Sequence, residues 1–200
     1  MIDWLKNITH DYPEFWKKYI SKFNEKTNRF VVLSTETSGL NPDKDVILAL
    51  SCIAVQNNMV VVGDSFEVVL KQYIFNHDNG FSNEFIIESK QEKFSESIAI
   101  EAFIDYLGNA ILIGHHINFD LEMINKALRK NNCGTLKNEA LDIEIMYKKW
   151  NNFKEDKSFS IEELQTIFKL PKTDRISAAD DAFAIALLFL KLQNRLGLMV

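Results

Sequence analysis

The sequence predicts an α/β domain in which a mixed sheet is flanked by helices. Strand-like apolar runs gather in the first half of the chain, and strand and helix signals alternate in the second. Size agrees with this: 200 residues at 46% hydrophobic content, fifteen of them phenylalanine, supply one sizeable and largely aromatic core.

Residues 1–28 read as a helical extension. Asp11 is the expected N-cap, with Pro13 and Glu14 in the first turn. Phe15, Trp16, Tyr19, Ile20 and Phe23 then recur at helical spacing as one aromatic face. That face is expected to pack on the main domain, residues 29–200; left open to water, it would instead dock a protein partner. Strands are expected over 29–33, 46–56, 59–63 and 66–70, with Asn57 and Asn58 turning a hairpin because Asn tolerates positive φ. Residues 72–95 read as a polar loop. A helix follows over 97–107, a short buried strand over 110–113, and a second helix over 119–129 closed by Asn131, Asn132 and Gly134. A strand is expected to end and a helix to begin within 141–150. Helices over 161–168 and, beyond Pro171, over 177–194 complete the pattern.

A net charge of −5 gives no broad attraction to nucleic acid. Lys148, Lys149, Lys154, Lys157, Lys169, Lys172 and Arg175 offer a local basic rim or a merely solvated surface. Cys52 and Cys133 form neither a disulfide framework nor a zinc pattern and suit a reducing compartment. No basic-then-apolar leader opens the sequence, and its apolar runs are too short to span a bilayer. A cytoplasmic protein without a membrane partner is expected.

Three acids stand out by their surroundings. Glu36 follows the first strand, Asp120 follows Gly114-His115-His116-Ile117-Asn118-Phe119, and Asp181 precedes the apolar run Ala182-Phe183-Ala184-Ile185-Ala186-Leu187-Leu188. A carboxylate set in apolar sequence is costly to bury without a cation or hydrogen bonds. Hard divalent cations such as Mg²⁺ or Mn²⁺ take such ligands, and a pair of them stabilises phosphoryl transfer.

With these residues in place, Val32-Leu33-Ser34-Thr35-Glu36-Thr37-Ser38-Gly39-Leu40 resembles the first motif of the DEDD superfamily of 3′–5′ exonucleases, the polymerase proofreading-subunit and RNase T relatives. The segment from Gly114 to Asp120 resembles the second motif, and Ile176-Ser177-Ala178-Ala179-Asp180-Asp181-Ala182 the third. The resemblance implies an RNase H-like fold with a mixed five-stranded sheet and the N-terminal helical extension. It implies that Glu36, Asp120 and Asp181 are catalytic and hold Mg²⁺ or Mn²⁺, and that Thr37, Leu40, His115 and Phe119 flank the terminal nucleotide. Nucleic-acid 3′ ends or nucleotides are the implied ligands.

Two departures cut against full activity. Ser34 stands where the family has the Asp that bridges both metals. Ile176, five residues before Asp181, stands where the family has the general-base His. Asp180 as the alternative register puts Arg175 in that place, which is no better as a base. A hydroxyl cannot bridge two divalent cations, and loss of a general base alone costs about two to four orders of magnitude in rate. Weakened, single-site metal occupancy and impaired or lost catalysis are therefore expected, unless His115, His116 or an acid from residues 41–45 substitutes. The alternative is a pseudoexonuclease that serves as a nucleotide-binding or protein-interaction module.

Overall fold

Strand β1 (Phe30–Thr37) organises the molecule, because its side chains alternate between two cores. Val31 and Leu33 join one buried cluster, and Phe30 and Val32 join the other. In this computed structural model, residues 11–71, 90–153, 157–172 and 175–198 are described.

Around β1 lie β2 (Ile47–Gln56), β3 (Met59–Leu70), β4 (Lys93–Phe94), β5 (Ile111–Gly114) and β6 (Ala140–Asp142). They form one mixed sheet in the order β4-β3-β2-β1-β5-β6. β1, β2 and β3 are an antiparallel meander, while β5 and β6 run parallel to β1. Asn57 and Asn58 turn the β2–β3 hairpin with φ of 51° and 61°, as their tolerance of left-handed backbone predicts.

The helices are α1 (Glu14–Ser21), α2 (Glu96–Leu107), α3 (Ile117–Lys130), α4 (Ile143–Trp150), α5 (Ile161–Ile167) and α6 (Ala178–Leu196). Residues of α1, α2 and α3 build the core on the Val31 and Leu33 side, and those of α4, α5 and α6 build the core on the Phe30 and Val32 side. This is the expected α/β sheet with helices on both faces.

Three expectations need correction. The sheet has six strands rather than five: Lys93 and Phe94 pair in parallel with Val69 and Leu70. A two-residue strand held by backbone bonds carries no alternation for the sequence to reveal. Residues 72–89 of the expected 72–95 loop lie outside the described residues. Second, 59–63 and 66–70 are one strand, whose register shifts where Ile53 pairs with Ser65 and Ala54 with Val61. Third, Pro13 occupies the N-cap of α1, and Asp11 instead pairs with Lys17 at 3.4 Å in an exposed contact. Residues 1–10 of the extension are outside the described residues.

The aromatic face of α1 packs inward. Trp16 and Tyr19 are each 1% exposed within the same core as α2 and α3. The Tyr19 hydroxyl donates to Asn138 Oδ1 at 2.6 Å and accepts from the Lys137 amide at 2.8 Å. Tyr19→Phe leaves the Lys137 amide and the half-buried Asn138 amide oxygen without this partner, so it is expected to destabilise the fold by about 1 kcal/mol. Urea unfolding measures this; a midpoint equal to that of the parent would show that the extension is not part of the cooperative unit.

Candidate functional site

The pleat of β1 decides which helix each of its polar residues meets. Ser34 and Glu36 follow the parity of Val32, toward the α6 side, and Thr35 follows Leu33, toward α3. Accordingly, the Thr35 hydroxyl donates to Asp120 Oδ1 at 2.5 Å, while Glu36 feels the charges of Asp181 and Arg175.

The approach of α3 to the strand ends depends on Gly114. A Cβ there would lie 2.9 Å from Ile117 Cβ, so a side chain would push the start of the helix away. His116 caps α3 in the left-handed region, at φ 55°. Asp142 accepts from the amides of Glu144 and Ile145 at the start of α4 and from the Ile117 amide at the start of α3. One buried carboxylate thus ties two helix N-termini together, with all three amide donors and both helix dipoles directed at it.

The cleft left between these elements has a volume of about 740 Å³. Ser34, Glu36, Asp120, Asp181, Thr37, Leu40, His115 and Phe119 all line it, together with Arg175 and His116. The sequence-predicted residues therefore meet, with one exception. Ile176 is not among the cleft-lining residues: it is 63% exposed, and its amide donates to Asp180 Oδ2 at 3.2 Å. Asp180 belongs to the capping box of α6 with Ser177.

Burial pushes the Asp120 carboxyl up to about 7, with the Thr35 bond acting in the opposite direction. Burial, and after it the charge of Asp181, hold the Glu36 carboxyl above its usual range. Burial lowers the His115 imidazole, whose Nε2 donates to the Phe159 carbonyl at 2.7 Å.

Arg175 is the residue whose role the sequence concealed. It reads as one member of a basic rim, yet its side chain is only 26% exposed and turns into the cleft. Its guanidinium grips both oxygens of Asp181, from Nε to Oδ1 and from Nη2 to Oδ2 at 2.7 Å, and its Nη1 reaches Glu162. A two-point arginine–carboxylate contact is strong and directional. The rim loses other members as well. Lys148 pairs with Glu144 at 2.8 Å and Lys157 with Glu163 at 3.5 Å, whereas Lys149, Lys169 and Lys172 are exposed and Lys154 is outside the described residues.

In the loop between β1 and β2, Asp45 reaches the cleft but is engaged within the loop, and Asp43 is not among the cleft-lining residues. Asp45 accepts from the Ser38 hydroxyl and the Asn41 amide, both at 2.8 Å, and packs so close to Gly39 that a Cβ there would sit 2.6 Å from its carboxylate.

The Exonuclease family model matches residues 31–189, a span that contains all three acidic motifs. The chain belongs to the exonuclease family. Its motifs place it in the DEDD superfamily of 3′–5′ exonucleases. Among its relatives is a PolC-type DNA polymerase III of Caldanaerobacter subterraneus subsp. tengcongensis, 24% identical over 84% of this chain and 12% of that protein. Another is the 3′-5′ exonuclease DinG of Staphylococcus haemolyticus, 25% identical over 81% of this chain and 18% of that protein. The exonuclease domain thus spans less than a fifth of either relative. In fold it is similar to Escherichia coli exonuclease I, solved in complex with a dT13 oligonucleotide, with a TM-score of 0.69 and 17% identity over 86% of this chain and 42% of that one.

Proposed function

We propose that this exonuclease domain receives nucleic-acid 3′ ends or nucleotides in the β1–α3–α6 cleft and that phosphodiester hydrolysis there is impaired or lost. The observation that carries this reading is the guanidinium of Arg175 on both oxygens of Asp181. Exonucleases of this superfamily use divalent metal, and Mg²⁺ or Mn²⁺ would be held here by Glu36, Asp120 and Asp181. The donor set does not fit a two-metal centre. Ser34 is neutral, and Asp181 already has a cation.

Charge arithmetic makes the same point. Relative to four carboxylates, Ser34 removes one negative charge and Arg175 adds one positive charge. The change of +2 equals the charge of one divalent ion. The chain thus supplies part of the compensation that metal gives its relatives, and at most one weakly held ion is expected. Thr37, Leu40, His115 and Phe119 remain on the cleft wall to hold a terminal nucleotide. Arg175 adds a group suited to a phosphate, should Asp181 release it.

The test is to follow 3′-labelled single-stranded DNA and RNA with Mg²⁺ or Mn²⁺, by anisotropy for binding and by gel for cleavage. Binding with negligible cleavage is expected. Rapid turnover that Glu36→Ala abolishes would overturn the loss of catalysis, and absence of binding would overturn the ligand class. A protein-interaction role through the N-terminal aromatic face is the less favoured reading, since Trp16 and Tyr19 are buried within the domain.

A further inference from the structure

On the wall of the same cleft lies a second cluster, separate from the three carboxylates. His115, His116 and Glu144 each direct one ligand atom into a group whose members all lie within 4.8 Å of one another. His116 Nδ1 and Glu144 Oε2 are 3.4 Å apart. A charge-assisted N–H···O bond runs about 2.7–2.9 Å, so this pair is too far apart for a good one. Two ligands bound to one tetrahedral ion at about 2.0–2.2 Å stand roughly 3.4 Å from each other.

The surrounding hydrogen bonds set the proton positions. A carbonyl oxygen only accepts, so His115 Nε2, 2.7 Å from the Phe159 carbonyl, must donate, and the neutral ring leaves Nδ1 bare. His116 Nε2 faces the Ser158 hydroxyl at 3.5 Å, which leaves its Nδ1 toward Glu144. On Glu144, Oε1 accepts from the Phe159 amide at 3.0 Å and from Lys148 at 2.8 Å, which leaves Oε2 for a further partner. Ligating histidines are held in this way, with the second ring nitrogen donating to a backbone or side-chain oxygen. The Phe159 peptide braces two of the three ligands, through its N–H and its C=O.

We propose that His115, His116 and Glu144 form a binding site for one divalent transition ion of the zinc class. Two imidazoles and one carboxylate select Zn²⁺ or Co²⁺ over Mg²⁺, which prefers an all-oxygen shell. Three protein ligands leave one tetrahedral position open. Because His115 and His116 line the cleft, that position takes a water or a phosphate oxygen of whatever enters it. The site does not depend on the proposed loss of exonuclease activity, as none of its ligands belongs to the Glu36, Asp120 and Asp181 set.

Calorimetric titration with Zn²⁺ and visible absorption with Co²⁺ test the assignment on the full chain, after chelation and dialysis. One equivalent of Zn²⁺ and the intense visible band of tetrahedral cobalt are expected, neither displaced by excess Mg²⁺. His116→Asn should weaken zinc at least tenfold and abolish the cobalt band. The His116 side chain is 57% exposed, so this substitution leaves the core intact; His116→Gln serves as a second variant. Glu36→Ala with Asp181→Asn should leave both signals in place. The proposal is overturned if zinc does not bind, if His116→Asn binds it as well as the parent, or if the signals vanish only in the Glu36 and Asp181 variant.

Discussion

Ser34→Asp, Ile176→His and Arg175→Ala together are expected to raise cleavage of 3′-labelled single-stranded DNA by two orders of magnitude or more in Mn²⁺. The aspartate restores a carboxylate at the residue of β1 that meets the α6 side of the cleft; the histidine replaces an exposed side chain beside the cleft, so it acts as a base, worth about 10²–10⁴, only once removal of the Arg175 side chain lets it turn inward. The arginine change frees both oxygens of Asp181. Comparison with the variant that keeps Arg175 isolates its contribution. If Ser34→Asp with Ile176→His cleaves as fast as the triple variant, the ion pair does not block the site. If neither exceeds the parent, the residues that replaced Asp and His are not what limits the chemistry. Replacing Arg175 alone is expected to free Asp181 without cleavage, because Ser34 still cannot act as a bridging ligand.

The second large effect concerns stability rather than turnover. The Asp120 carboxyl titrates near 3.8 when unperturbed and at about 7 in the folded chain, chiefly because it is buried. Between these values the folded state keeps a proton that the unfolded state has lost. Stability must therefore fall as pH rises: the contribution is fully present below about pH 4 and gone above about pH 7. At 1.36 kcal/mol for each pH unit, the change is about 4 kcal/mol if the whole shift is expressed. Asp120→Asn keeps the shape and the oxygen that accepts from Thr35 but removes the titration. Guanidinium unfolding at pH 4, 6 and 8, in chelator, is expected to show the variant gaining on the parent as pH rises. Parallel pH profiles for the two proteins would refute buried titration at Asp120. Chelation matters because a bound cation favours the charged carboxylate and would mask the slope.

The fold was legible because it rests on local patterns. Alternating apolar residues in β1, paired asparagines at the hairpin and helical spacing in α2, α3 and α6 are each set by a few neighbouring residues. The missed strand, β4, is defined only by its partner, since two residues have no periodicity of their own. The cap of α1 was misplaced by two residues, from Asp11 to Pro13, because capping depends on the backbone angles that the chain adopts there.

The site divides in the same way. Glu36, Asp120 and Asp181 could be picked out because each lies in apolar sequence beside a recognisable motif, and the absences at Ser34 and Ile176 were visible in the same motifs. Whether those positions come together depends on the pleat of β1, the Gly114 approach and the Asp142 tie between α3 and α4. Arg175 was seen only as a poor occupant of the base position in the Asp180 register and as part of a basic rim. In sequence it is one of several cations near the C-terminal third, and only its proximity to Asp181 and Glu162 turns it from a surface charge into the occupant of the cleft. Glu144 was equally hidden, being a helix residue whose neighbours in space, His116 and the Phe159 peptide, are distant in sequence. The amino-acid sequence by itself determined the family, the fold and the two motif positions at which Ser34 and Ile176 depart from the family pattern, because these follow from residue identity and short-range spacing. The tertiary structure alone decided which charges neutralise one another, because electrostatic partnership depends on separations of a few ångströms that only folding sets.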